Sequence, residues 1–189
     1  MRRTAIALLT SCLFAITACS SGGSSTSPSA APIEADVVVW MDKVCGAVAG
    51  TVKAMSDEPS IDMSDPAKLK TGLSEWLGTK VTAVDKSIAD LKALENGPHP
   101  KSKELVTTAE QGMDQIRTLL ADTKSKLDSS TDPTQVVTAF TEMVSKAAAL
   151  ETTAADVQKK LDETGLGEAS KKAANCKELE TSPTAPPTS

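Results

Sequence analysis

The 189-residue chain reads as all-α: a single up-down four-helix bundle followed by one short C-terminal helix. Three observations carry that reading. Apolar residues recur three and four positions apart through almost all of residues 33–179, and no period-two strand pattern occurs. Helix start and stop signals punctuate the stripes at Asp65-Pro66, Asn96-Gly97-Pro98-His99-Pro100, Asp132-Pro133 and Gly165. The connections are short, which favours antiparallel neighbours, and no linker divides 33–179, so one domain is expected.

The first predicted helix, about Glu34 to Met55, gathers Val37, Trp40, Met41, Val44, Cys45, Val48 and Val52 on one side and ends before Ser56-Asp57-Glu58-Pro59. The second opens at Asp65-Pro66, an N-cap residue followed by proline in the first turn. It runs to about Glu95 with Leu69, Leu73, Trp76, Leu77, Val81, Val84, Ile88 and Leu91 as its stripe. The third, about Ser102 to Leu127, carries Leu105, Ala109, Met113, Ile116, Leu119, Leu120 and Leu127. The fourth is read as continuous from Pro133 to Glu163 through Val136, Phe140, Val144, Ala147, Leu150, Ala154, Val157 and Leu161, with Gly165 as its C-cap. A last helix, about Gly167 to Lys177, places Ala169, Ala173 and Cys176 three or four apart. The second and fourth helices, near thirty residues each, would be about 45 Å long. Ala, Thr and Val outnumber large side chains, so the core is thin and the helices must approach closely.

The N-terminus has a different character. Arg2 and Arg3 precede an apolar run from Ala5 to Ala15, which ends in Ile16-Thr17-Ala18-Cys19. A basic segment, a short apolar segment and small residues before a cut define a secretory signal. A membrane-spanning helix needs about 20 apolar residues, and this run stops short. The tetrad resembles the lipobox of bacterial lipoproteins. That resemblance covers the signal alone and implies that residues 1–18 are a removed signal peptide. Cys19 would then receive a diacylglycerol on its thiol and a further fatty acyl group such as palmitate on its amine. The protein would be exported and lipid-anchored to the outer face of the cell membrane, each buried CH₂ contributing about 0.8 kcal/mol. Residues 19–32 are serine, glycine, threonine, proline and alanine behind the cysteine, too poor in apolar side chains to repay ordering. They read as a tether with a reach of about 20 Å. Residues 180–189, rich in Ser, Thr and Pro, read as a disordered tail suited to O-glycosylation.

Removing Arg2 and Arg3 from the 20 basic residues leaves 18 against 25 acidic ones, so the formal charge moves from -5 to -7. Lysines alternate with acids along helical faces instead of clustering, which excludes nucleic acid as a partner class. With Cys12 in the signal and Cys19 consumed by lipid, Cys45 and Cys176 remain, in a compartment where disulfides persist. They are expected to pair and so to link the last helix to the first. A metal or redox pair is the alternative, but there is no C-x-x-C and the single histidine, His99, lies far off in sequence.

Candidate chemistry is sparse. Gly46 and Gly50 form a G-x-x-x-G, read as close packing against a neighbouring helix. Trp76-Leu77-Gly78 has the W-x-G spelling found at the hairpin turn of small type VII secretion substrates, but here it lies inside a helical stripe, so core packing is expected. His99, flanked by prolines, is expected to be an exposed loop residue. Acids such as Glu104, Glu110 and Asp114 fall on helical faces. No phosphate loop, dinucleotide fingerprint or nucleophile elbow occurs. No catalytic residue, metal ligand or cofactor is therefore assigned, and no enzyme is expected.

The tether, the cysteine pair and the Ala/Thr-rich helices together resemble the small helical envelope lipoproteins of high-GC Gram-positive bacteria. The expected function is a membrane-anchored, non-catalytic interaction or accessory module whose partner is an envelope protein. The alternative is a carrier of an apolar ligand or lipid within the bundle. A cavity above about 300 Å³ lined by Val, Leu and Met would favour the carrier; a filled core with an exposed apolar face would favour the interaction module.

Overall fold

The computed structural model describes residues 34–57, 65–148 and 151–181. The signal segment, Cys19 and the tether lie outside them, as do residues 182–189 of the tail. The described residues form seven helices and no strand: α1 Ala35–Ser56, α2 Pro66–Lys92, α3 Ser102–Ser129, α4 Pro133–Ala148, α5 Glu151–Thr164, α6 Gly167–Ser170 and α7 Ala174–Thr181.

Side-chain ties fix the directions of neighbouring helices. The Trp40 indole near the start of α1 donates to the Leu94 carbonyl beyond the end of α2, at 2.9 Å. The Trp76 indole in α2 donates to the Asp57 carbonyl just past α1, at 3.0 Å. Each of these antiparallel helices thus presents a tryptophan to the carbonyls left open at the other's C-terminus. Along α2 and α3, Lys70 reaches the Asp128 and Ser130 carbonyls, both at 2.8 Å, and Lys103 pairs with Glu95 at 3.7 Å, so this pair is antiparallel too. α4 and α5 follow one another back along α3, with Lys126 on Glu142 and Lys160 on Glu104 at 2.9 Å.

α3 packs against α2, α4 and α5, and α1 against α2, α6 and α7. The core is apolar and small-grained. Met41, Leu77, Val84, Leu91, Val106 and Leu127 are fully enclosed, and Gly112 and Thr123 join the buried face of α3. Lys80 is an exception, 3 % exposed. Its ammonium donates to the Ala54 carbonyl and sits 5.1 Å from the Trp76 ring centre, with Asp57 at 3.9 Å. A cation there meets the negative end of the α1 dipole.

The predicted fourth helix is described in two stretches, α4 and α5, on either side of residues 149–150, which lie outside the described residues; α4 packs on α3 and α2, α5 on α3 and α6. Two sequence expectations need correction. The last helix is two elements, α6 and α7. Around Ala173 the chain turns, its N–H reaching both Ala169 and Ser170, and α7 restarts where Asp42 accepts the Asn175 N–H at 2.8 Å. That contact comes from α1, so it is not legible in the local pattern. α7 also runs on to Thr181, whose hydroxyl donates to the Lys177 carbonyl at 3.1 Å; residues 180 and 181 are helical and not part of the tail.

The glycines divide by neighbourhood. A Cβ on Gly46 would stand 3.0 Å from the Asn175 amide of α7, whereas one on Gly50 would meet only Ser87 at an ordinary 3.7 Å. Close packing therefore applies to Gly46 alone. Gly165 has φ 74°, a left-handed conformation in which glycine is unstrained, and it closes α5 as the sequence predicts.

Candidate functional site

Two features of the described residues are candidates: an apolar crevice beside the disulfide, and the outer face of α4. The crevice begins with the period of α1, which brings Met41, Val44, Cys45 and Val48 to one side. Leu105 and Ala109 of α3, Val157 and Leu161 of α5, and Leu179 of α7 complete it, enclosing about 150 Å³. Gln158, Ser170 and Glu180 supply the polar groups of its lining.

Cys45 and Cys176 form the expected bridge, with S–S 2.00 Å and Cα–Cα 5.0 Å across a separation of 131 residues. It is reinforced by a polar pair that sequence reasoning missed. Asp42 accepts the Asn175 backbone N–H, and its carboxylate and backbone carbonyl both accept from the Asn175 side-chain amide at 3.1 Å. The signal was available: Asp42 precedes Cys45 by three positions and Asn175 precedes Cys176 by one, so pairing the cysteines brings these residues together. α7 consequently runs parallel to α1 and forms one wall of the crevice.

The outer face of α4 is built differently. Val136, Ala139 and Met143 turn into the core. Val137 and Val144 stand 58 % and 55 % exposed, with half-buried Phe140 between them and Ala147 exposed one turn on. At 100° per residue these fall within one stripe. The charged residues of α4, Glu142 and Lys146, lie off that stripe, and Glu142 is engaged by Lys126.

Three larger depressions, of about 440, 410 and 350 Å³, are shallow and carry charged residues in their walls. Lys126, Asp132 and Glu142 line the first, Asp36 and Lys43 the second, and Lys53, Asp57 and Glu178 the third.

Several titratable groups are tied into structural pairs. Glu104 is held down to about 2 by its hydrogen bonds from Lys160 and Lys101, and Lys160 is raised by Glu104 and Glu163. The Lys124 ammonium, followed by the Ser74 hydroxyl, pulls Asp128 down. Glu110 goes the other way. Burial raises it, the negative charge of Glu95 raises it further, and Lys92 and Lys103 only partly compensate; its Oε1 is buried without a hydrogen-bond partner. His99 is half-buried, not exposed as its proline flanks imply. Its Nδ1 accepts the Lys101 N–H and its own N–H donates to the Ser102 hydroxyl, each at 3.1 Å, so it organises the start of α3. Among the described residues no group of three or more His, Cys, Asp or Glu stands together where a metal ion could be held. No helix there is long and apolar enough to cross a membrane. Cys19 lies outside the described residues.

No family model matches the chain, and comparison with curated proteins and with solved structures likewise finds no match.

Proposed function

We propose that this protein is a membrane-anchored, non-catalytic envelope lipoprotein acting as an interaction or accessory module. Its domain would be an up-down four-helix bundle, carried on a lipidated tether at Cys19 and presenting the outer face of α4 to a partner protein. The Ile16-Thr17-Ala18-Cys19 lipobox supports the anchor. The observation that carries the interaction is the α4 stripe. Two valines more than half exposed and a phenylalanine share an uncharged stripe in a chain where 24 % of residues are charged, and a grouped apolar surface of this kind marks contact sites.

The antiparallel ties from α1 to α2, α2 to α3, and α3 to α4 and α5 support the up-down reading. Glu104 with Lys160 and Glu142 with Lys126 are held down by pairs that join helices, Glu163 and Glu168 by pairs with lysines close by in sequence, which supports a structural use of these charges over a catalytic one. The carrier alternative has one observation in its favour, the apolar lining of the crevice, but its 150 Å³ is about half of what a drug-sized ligand needs and far short of a whole lipid.

Two measurements test the proposal. Metabolic labelling with a fatty-acid analogue should mark the wild type and leave Cys19→Ala unlabelled and unprocessed; label persisting on the variant removes the anchor. Affinity capture from native membranes should recover a protein partner that Val137→Ser/Val144→Ser loses while its melting temperature stays unchanged. A partner retained by that variant would move the contact off α4.

A further inference from the structure

We infer that the crevice between α1, α3, α5 and α7 is a binding site for a small amphiphile: an apolar group of about six carbons bearing a neutral or cationic head. This narrows the carrier alternative to one ligand class and rests on neither the tether nor the α4 contact. Three features lead to it.

Size comes first. An apolar cavity of about 150 Å³ accommodates a six-carbon group such as benzene, and the crevice has that volume. A longer chain would have to leave most of its methylenes in water.

Chemistry comes second. Met41, Val44, Leu105, Ala109, Val157 and Leu161 make the lining largely apolar, which favours a hydrocarbon group, and Ser170 is its buried polar side chain. Gln158 and Glu180 are exposed and so mark the solvent side, where a head group would sit. A carboxylate there attracts an ammonium and repels a carboxylate, while Gln158 can bond a hydroxyl or an amine.

Construction comes third. The wall that closes the crevice, α7, is pinned to α1 by the Cys45–Cys176 bridge and by the Asp42–Asn175 bonds. The site is therefore preorganised, and binding need not order a mobile segment.

The test is thermal unfolding and methyl NMR of the full processed protein with three six-carbon probes: n-hexylamine, n-hexanol and hexanoate. Hexylamine and hexanol should raise the melting temperature saturably, as a ligand of the folded state must, and should shift the methyl signals of Met41, Val157 and Leu161. Hexylamine should bind more tightly than hexanol by about five-fold, the scale of one exposed charge at contact distance, and more tightly than hexanoate by about thirty-fold, since one head is attracted and the other repelled. Ala109→Leu fills the crevice and should abolish the response. Should that variant fail to fold, Glu180→Gln decides the head-group assignment, since it should erase the preference for the amine and keep hexanol binding. Absence of a saturable shift with every probe overturns the site, as does an undiminished response in folded Ala109→Leu. Hexanoate binding as tightly as hexylamine overturns the head-group assignment. None of these outcomes bears on the α4 contact, which is read by capture.

Discussion

Gly97→Ala is the sharpest test of how the helix ends are joined. Gly97 does not have a left-handed backbone, so what it provides is room. A Cβ there would lie 2.3 Å from Trp40 Nε1, 2.4 Å from Cε2 and 2.6 Å from the Ser102 hydroxyl. Trp40 is 5 % exposed and held by its bond to the Leu94 carbonyl, so it cannot swing into solvent. Loss of that hydrogen bond costs about 1 kcal/mol, and overpacking a filled site costs about 1–3 kcal/mol. The expected total is about 2–4 kcal/mol, a fall in melting temperature of about 6–12 °C for a domain of this size. Gly78→Ala is the matched control. It lies inside α2, its Cβ would meet only the flexible end of Lys124 at 3.5 Å, and helix propensity alone should stabilise it by about 0.5–1 kcal/mol. Urea and thermal unfolding of both variants in a Trp76→Phe background, followed by fluorescence, isolates the Trp40 signal. A Gly97→Ala protein within about 0.5 kcal/mol of its parent, with Trp40 emission unshifted, would refute the reciprocal tryptophan contacts as a stabilising device.

Three further outcomes are expected. Cys45→Ala/Cys176→Ala should lose up to about 5 kcal/mol by the chain-entropy relation for a separation of 131 residues, measured by urea unfolding; a loss under about 1 kcal/mol would mean that Asp42 and Asn175 alone hold α7. Lys80→Met should destabilise by about 2 kcal/mol in the same assay, because it removes a charge-assisted bond to the half-buried Ala54 carbonyl worth about 1.5–3 kcal/mol, which the apolar methionine offsets in part. Glu110→Gln should stabilise the protein at neutral pH. A carboxyl raised in the folded state contributes stability only below its ordinary pKa and loses it as pH rises through the folded value, so the gain in melting temperature should be larger at neutral pH and vanish as pH falls to about 4. An equal gain at both ends of that range would assign the effect to something other than the carboxylate.

The helical class, the helix starts and most of the core were legible because a period of three to four survives in the sequence wherever one face is buried. Leu105, Met113 and Leu127 on α3 illustrate it, as does the Gly165 cap. The start of α7 was not legible, because its first turn is capped from α1. His99 read as exposed because prolines flank it, yet its ring turns inward to accept a backbone N–H. The disulfide was deducible from the cysteine inventory, but the crevice beside it was not, because five elements meet there and no single stripe records their separation.

The same comparison explains why α4 differs from its neighbours. α2 reaches both adjoining C-termini with cations and an indole: Lys80 and Trp76 at the end of α1, Lys70 at the end of α3. Removing any of these takes a donor from a carbonyl at a helix end, so α1, α2 and α3 are fastened through their ends as well as their faces. α4 is held by Val136, Ala139 and Met143 in the core and by the exposed Lys126–Glu142 pair; exposed pairs of this kind contribute about 0–1 kcal/mol. Its outer valines add nothing to that attachment. Val137 and Val144 are therefore free to be apolar for a reason other than folding, and a contact made through them would leave the disulfide, the capped helix ends and the crevice undisturbed.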